Sequence, residues 1–321
     1  MSKITGTDIE YYSDVIEEDV EWLWYPFIPY GKITLLQGDP GDGKSTFMLH
    51  IAAAITRGGQ LPDGSQSIGI QNVIYQCSED SNSDTIKPRL LQAGADCDRV
   101  AYINEENDPL TIGDPRIEDA IVSTNARLLI IDPIQAYIPH DCDMTNASSM
   151  RALMKKLASV AERHRCAVVL IGHMTKASGG KNLYRSFGSI DIAAVARSVL
   201  MIKRDDNNPA IRYMFPIKSS LAYEGNAIRF MFTRESGLKM LGACSLESEI
   251  YAPDNQAEEK GKSVRAESLL KELLSCGDLP SKSVMDIVMD KGISERTVRS
   301  AAKNIGVKAT RKGNAWYWSM H

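Results

Sequence analysis

The sequence predicts an α/β protein: a mostly parallel, twisted sheet flanked by helices, followed by a small C-terminal domain of helix-turn-helix type. Three observations predict it. Short apolar segments alternate with helix-periodic ones between residues 33 and 203, the order that builds a parallel sheet with helices on its faces. A glycine-rich turn, GDPGDGKS (38–45), joins the first of these strands to the first helix. The composition then breaks at 252–263 (APDNQAEEKGKS), and three helical stretches and a hairpin follow, the pattern of a winged helix-turn-helix.

Residues 1–30 are acidic and then aromatic (EWLWYPFIPY) and read as an arm packed on the edge of the main domain, which is expected to span 31–250. ITLLQ (33–37), NVIYQC (72–77), VAYI (100–103), RLLIID (127–132) and CAVVLIG (166–172) are short, apolar and rich in β-branched residues. Such segments suit strands buried on both faces. Helical periodicity occupies 45–57, 84–93, 115–123 and 147–164. RSVLMIK (197–203), RYMFPIK (212–218) and AIRFMF (227–232) are joined by short polar turns and read as an antiparallel extension of the same sheet. Residues 251–262 have the polarity of a linker. Helices are expected over 263–275, 281–291 and 294–305, with Gly292 and Gly306 as punctuation, before the hairpin KATRKGNAWYWSM.

The apolar runs fall short of the ~18 residues of a membrane span, and MSKITGTDIEYY lacks the apolar core of a secretion signal. Six cysteines without a CxxC pair argue against a zinc or disulfide framework and fit a reducing cytoplasm. His140 and Cys142 fit solvated loop positions better than metal ligands. The net charge of −4 is uneven. Residues 258–321 hold 12 Lys/Arg against 8 Asp/Glu, a mildly basic tail on an acidic body, which hints at nucleic acid.

GDPGDGKS fits GxxxxGK[S/T] in the strand-to-helix context the motif requires. Gly38, Asp39, Pro40, Gly41, Asp42, Gly43, Lys44, Ser45 and Thr46 are the expected nucleotide-binding residues. The glycines let backbone N–H groups converge on phosphate oxygens at the positive end of the following helix. Lys44 should reach the β- and γ-phosphates, and the Ser45 hydroxyl should ligate Mg²⁺. Asp132 ends the run LLIID and is the expected second metal contact. The residue after it is Pro133, which cannot serve as a base. Acids stand instead at a different strand end, NVIYQCSED, where Glu79 has two roles open to it. It could activate water beside the γ-phosphate, or Glu79 and Asp80 could cap the helix that begins near Asp84.

WLWYPFIPYGKITLLQGDPGDGKST, CSEDSNSDTIKPRLLQAGAD, LLIIDPIQAYI and LIGHMTKASGGKNLYRSFGSIDIAAVARSVL together resemble the RecA-like P-loop ATPases of the RepA type. These are related to DnaB-type replicative helicases and RadA-type ATPases, and are common in plasmids and prophages. The similarity covers roughly residues 15–235. The resemblance implies ATP as the nucleotide, since the base pocket has no readable motif. It implies a hexameric ring acting on DNA, Glu79 as the catalytic base, His173 as a γ-phosphate sensor, and Arg197 as an arginine finger reaching a neighbour's ATP. One position departs from the relatives: their basic-x-basic pair is here Lys218 and Ser220.

Loop 174–187 carries Lys176, Lys181 and Arg185 without an acid and reads either as a strand-tracking loop in the ring's channel or as a solvated surface loop. In the tail, Arg296, Arg299 and Lys303 lie on the polar side of the expected recognition helix, with Arg311 and Lys312 in the hairpin. Duplex DNA and protein docking are both open there. Three functions follow: a helicase-type motor of a mobile element, a recombination-mediator ATPase, or a nucleotide-switched DNA-binding regulator.

Overall fold

The structure, a computed structural model, describes residues 11–139, 147–173, 191–205, 208–223, 225–233, 237–245, 265–275, 277–313 and 315–320. The chain divides into two compact units, Met1–Ser245 and Leu246–His321. The linker at 251–262, the loop at 174–187, His140 and Cys142 lie outside the described residues.

The first unit begins with a short antiparallel pair, β1 (Trp22–Trp24) and β2 (Ile28–Pro29). The strands that follow are β3 (Ile33–Gly38), β4 (Asn72–Cys77), β5 (Val100–Ala101), β6 (Ala126–Asp132), β7 (Ala167–His173), β8 (Ser198–Arg204), β9 (Ile211–Ser219), β10 (Ala227–Thr233) and β11 (Gly237–Cys244). They form one nine-stranded sheet in the order β11-β10-β9-β8-β3-β7-β6-β4-β5. From β5 to β8 every pairing is parallel, and from β8 to β11 every pairing is antiparallel. β11 is the one strand of this sheet that local patterning did not announce: GLKMLGAC holds two glycines and alternates weakly.

Helices α1 (Lys44–Arg57), α2 (Lys87–Gln92), α3 (Pro115–Thr124), α4 (Ala147–Arg163) and α5 (Asp191–Val195) belong to this unit. Successive strand residues serve opposite faces. Leu36, Ile130 and Val169 pack with Phe47 and Ile51 of α1, while Leu35, Leu129, Ile131 and Val168 pack with Met150, Met154 and Leu157 of α4. β3 is buried along its whole length at the centre of both layers. A π-helical turn (Asn82–Ile86) precedes α2. Pro88 has no N–H to return to residue 84, so the regular ladder cannot run back through it.

The aromatic segment departs from an edge-packed arm. Leu23, Trp24, Phe27 and Ile28 join the core against α1, with the Trp24 and Phe47 rings 6.3 Å apart. The stretch before it stays in solvent: Tyr12 is 95% exposed and Ile16 84%. Composition explains the split, because Leu23, Trp24 and Phe27 gain by leaving water while the acids of 14–21 keep their hydration.

The second unit holds α6 (265–274), β12 (Leu279–Pro280), α7 (Ser281–Met289), α8 (Glu295–Asn304), β13 (Lys308–Lys312) and β14 (Ala315–Ser319). Its sheet runs β12-β14-β13, antiparallel throughout. Leu270, Leu274, Val284, Val288, Val298 and Trp318 fill its core. The Ser294 hydroxyl accepts from the Thr297 N–H and caps α8, the role expected of serine at that position. Among the described residues no helix is long and apolar enough to cross a membrane.

Candidate active site

β3, β7, β6 and β4 end at one rim of the sheet. Gly38 is level with His173, and Cys77 is level with Asp132. From Gly38 the chain turns through residues 39–43 into α1, with Gly43 at the helix N-cap at φ +93°. Only glycine holds that backbone angle without strain. Gly38 is required for a different reason, since a methyl there would overlap the Ile202 carbonyl oxygen of β8. Gly38→Ala is therefore expected to destabilise the fold by about 1–3 kcal/mol, read as a lower urea midpoint with an unchanged m-value.

Lys44 is only 4% exposed. Its Nζ donates to the Gly38 carbonyl at 2.8 Å and the Asp39 carbonyl at 2.9 Å. Burial pulls the ammonium below the ordinary lysine range, and the carboxylates of Asp42, Asp132, Asp39 and Glu79 oppose that pull. The charged lysine thus sits where the loop can offer it to an anion.

Asp132 ends β6 and is 4% exposed. The Tyr75 hydroxyl donates to its Oδ2 at 2.6 Å, and Ser45 lies close enough to favour the ionised form of the same carboxylate. Burial holds the Asp132 carboxyl above its usual range; Glu79 adds to the rise, while Ser45, Tyr75 and Lys44 oppose it. A serine hydroxyl beside a desolvated carboxylate is an all-oxygen donor pair, which fits a hard divalent cation such as Mg²⁺. Among the described residues no group of three or more His, Cys, Asp or Glu is arranged to hold a metal ion. The pair therefore suits a cation that also draws oxygens from phosphate and water.

Glu79 is exposed, two residues beyond the end of β4, within electrostatic reach of both Lys44 and Asp132. Asp80 is drawn away to Arg89 of α2 at 2.8 Å. The two acids therefore part company: one lies near the phosphate loop and the other pairs with the following helix.

Arg197 is exposed at the opposite rim. Its N–H donates to the Ile33 carbonyl at the start of β3. Five residues of strand, roughly 17 Å, separate that level from Gly38. Lys218 stands opposite Val199 in the sheet, within electrostatic reach of Arg197, yet its Nζ donates to the carbonyls of Ala193 (2.8 Å), Ala194 (3.2 Å) and Ala196 (2.7 Å). All three donors of the ammonium thus serve the C-terminal end of α5. In the second unit Arg296, Lys303 and Arg311 are exposed. Arg299 is tied to Glu295 at 2.7 Å and Lys312 to Asp278 at 2.7 Å. Lys176, Lys181 and Arg185 lie outside the described residues.

Three side chains at the site escaped sequence reasoning. Tyr75 holds Asp132 from the neighbouring strand. Phe232 of β10 packs on Gly43. Arg204, the last residue of β8, donates to the Gly41 carbonyl at 3.0 Å, with its Nε 3.5 Å from Asp42. The only sequence signal was a charge at a strand end, LMIKR.

Comparison with known families matches residues 5–179 to a family model described as an AAA domain. Among individual proteins, the chain is 30% identical over 151 residues to the DNA repair protein RadA of Bacillus subtilis (strain 168), covering 46% of the chain and 28% of that protein. The protein of the same name from Mycobacterium tuberculosis (H37Rv) is 26% identical over 149 residues, covering 46% and 28%. That of Streptococcus pneumoniae (R6) is 26% identical over 178 residues, covering 55% and 38%. The chain thus spans well under half the length of these relatives.

Proposed function

Because the chain belongs to the AAA domain family and has the fold of a RecA-like P-loop ATPase, we propose that it hydrolyses ATP in an oligomer acting on DNA. The observation that carries this proposal is the gathering of Lys44, Ser45, Asp132 and Glu79 at the carboxyl ends of β3, β6 and β4. In an open α/β sheet that rim is where ligands bind.

The loop N–H groups between Gly38 and Thr46, Pro40 excepted, and the start of α1 hold the polyphosphate, and Lys44 pairs with its β- and γ-oxygens. Ser45 and Asp132 hold Mg²⁺, whose charge offsets that of the phosphates. Glu79 orients the attacking water and takes its proton. His173, level with Gly38, reports the γ-phosphate to the loop that follows it. Arg197 acts on the ATP of a neighbouring subunit in a homo-oligomeric, hexameric ring. Lys176, Lys181 and Arg185 track single-stranded DNA along its phosphates, and Arg296, Arg299, Lys303, Arg311 and Lys312 contact duplex as part of a winged helix.

The work done is that of a helicase-type motor of a plasmid, prophage or related element. A second proposal, a recombination or repair ATPase without processive unwinding, draws support from the similarity to proteins named DNA repair protein RadA. Two measurements separate them: ATPase with and without single-stranded DNA, and strand displacement on a forked duplex. Unwinding supports the motor, and stimulation without unwinding supports the repair ATPase. An ATPase indifferent to DNA overturns both.

A further inference from the structure

We propose that Arg204 is the positioning residue that lets this acid-bearing phosphate loop accept a polyphosphate, by neutralising Asp42. The inference rests on the nucleotide assignment made above and adds a determinant of affinity within the same subunit.

The difficulty lies in the loop itself. An anion site built from N–H groups and a helix N-terminus is opposed by any carboxylate nearby. GDPGDGKS carries two, Asp39 and Asp42. Asp39 is exposed and screened by water, but Asp42 is only 6% exposed, so little solvent shields its charge. Burial and the charge of Asp39 hold its carboxyl above the usual range, while Arg204 and Lys44 pull it down. Lys44 is the cation a polyphosphate recruits, and once recruited it serves Asp42 less. Arg204, with its Nε 3.5 Å from Asp42, is then the counter-charge that touches it, while Arg212 acts on it from further along the sheet.

The fold explains why an arginine at this position reaches the loop. β8 pairs directly with β3, Gln37 opposite Met201, and the bare Cα of Gly38 admits the Ile202 backbone. Two residues further on, the strand leans over the loop apex. Arg204 stands opposite Arg212 of β9, a like-charge pair that destabilises unless each charge has its own partner. Arg212 finds the Phe232 ring at 4.4 Å and the carbonyls of Pro209 and Ala210 at 3.1 and 2.9 Å. Arg204 finds Gly41 and Asp42. Phe232 in turn packs on Gly43, so β8 and β10 both brace the loop.

The test is titration calorimetry of ADP with Mg²⁺ on the full chain. Arg204→Ala is expected to raise Kd about tenfold, with Arg204→Lys, which keeps the charge, intermediate. In an Asp42→Asn background, where no carboxylate needs neutralising, Arg204→Ala is expected to change Kd less than about twofold. That loss of effect separates charge neutralisation from simple bracing. Two results overturn the inference: an unchanged Kd for both Arg204 variants, or a tenfold loss that persists in the Asp42→Asn background. Failure of the wild-type chain to bind ADP strikes instead at the nucleotide assignment, and this inference falls with it.

Discussion

Glu79→Gln is expected to bind ATP as the unmodified chain does while its turnover falls by a factor of about 10²–10⁴. The amide keeps the size of the carboxylate and its ability to orient a water molecule, but it cannot take a proton. The neighbouring acids are poorly placed to substitute. Asp80 is paired with Arg89. Asp132 is buried, accepts from Tyr75 and lies beside Ser45. Glu105 is held by Gln76, the Leu110 N–H and Tyr137. Phosphate release measured alongside nucleotide binding decides the matter, and hydrolysis at the unmodified rate sinks the assignment of Glu79. A second consequence follows from sign alone. The charge of Glu79 raises the Asp132 carboxyl, so its removal extends ionised Asp132 to lower pH. Retention of Mg²⁺-nucleotide in the variant should therefore persist further into acid than in the unmodified chain.

The parts of this protein that were legible in its sequence are those whose physics is local. A strand buried on both faces must be an apolar run, so ITLLQ, RLLIID and CAVVLIG announced themselves. The turn from Gly38 to Ser45 announced itself because glycine is the residue that such a backbone needs. Asp132 stood out as a charge ending an apolar run. The parts that were not legible depend on which strands lie side by side, and local periodicity carries no strand order. Tyr75 reaches Asp132 only because β4 lies beside β6. Arg204 reaches the phosphate loop only because β8 lies beside β3. Lys218 shows the same limit within a family resemblance. Its position matched a trans-acting basic residue, yet the two-residue gap between α5 and β8 leaves helix-end carbonyls that the ammonium satisfies. The residue type was compatible with either role, and the neighbours decide between them.

That commitment of Lys218 concentrates the intersubunit prediction on Arg197. Its side chain is exposed, and it sits at the start of β8 rather than at the rim that carries Gly38, Asp132 and Glu79. A separation of roughly 17 Å along the strands is well beyond the reach of an arginine, so it cannot serve the phosphate loop of its own chain. In a heterologous, head-to-tail assembly the start of one subunit's strands can face the next subunit's site. Arg197→Ala is then expected to leave ADP binding intact and to lower turnover by about 10³-fold or more, the scale of a lost arginine finger. Mixing supplies the sharper readout. Arg197→Ala subunits keep Glu79, and Glu79→Gln subunits keep Arg197, so each inactive variant completes the other where they adjoin in the right order. With random assembly and independent sites, about one quarter of the interfaces pair an intact Glu79 with an intact Arg197. A one-to-one mixture of two inactive proteins should thus recover about that fraction of activity. If Arg197→Ala is inactive and mixing recovers nothing, the arginine does not act across the interface. If Arg197→Ala turns over normally, no finger is needed at that position.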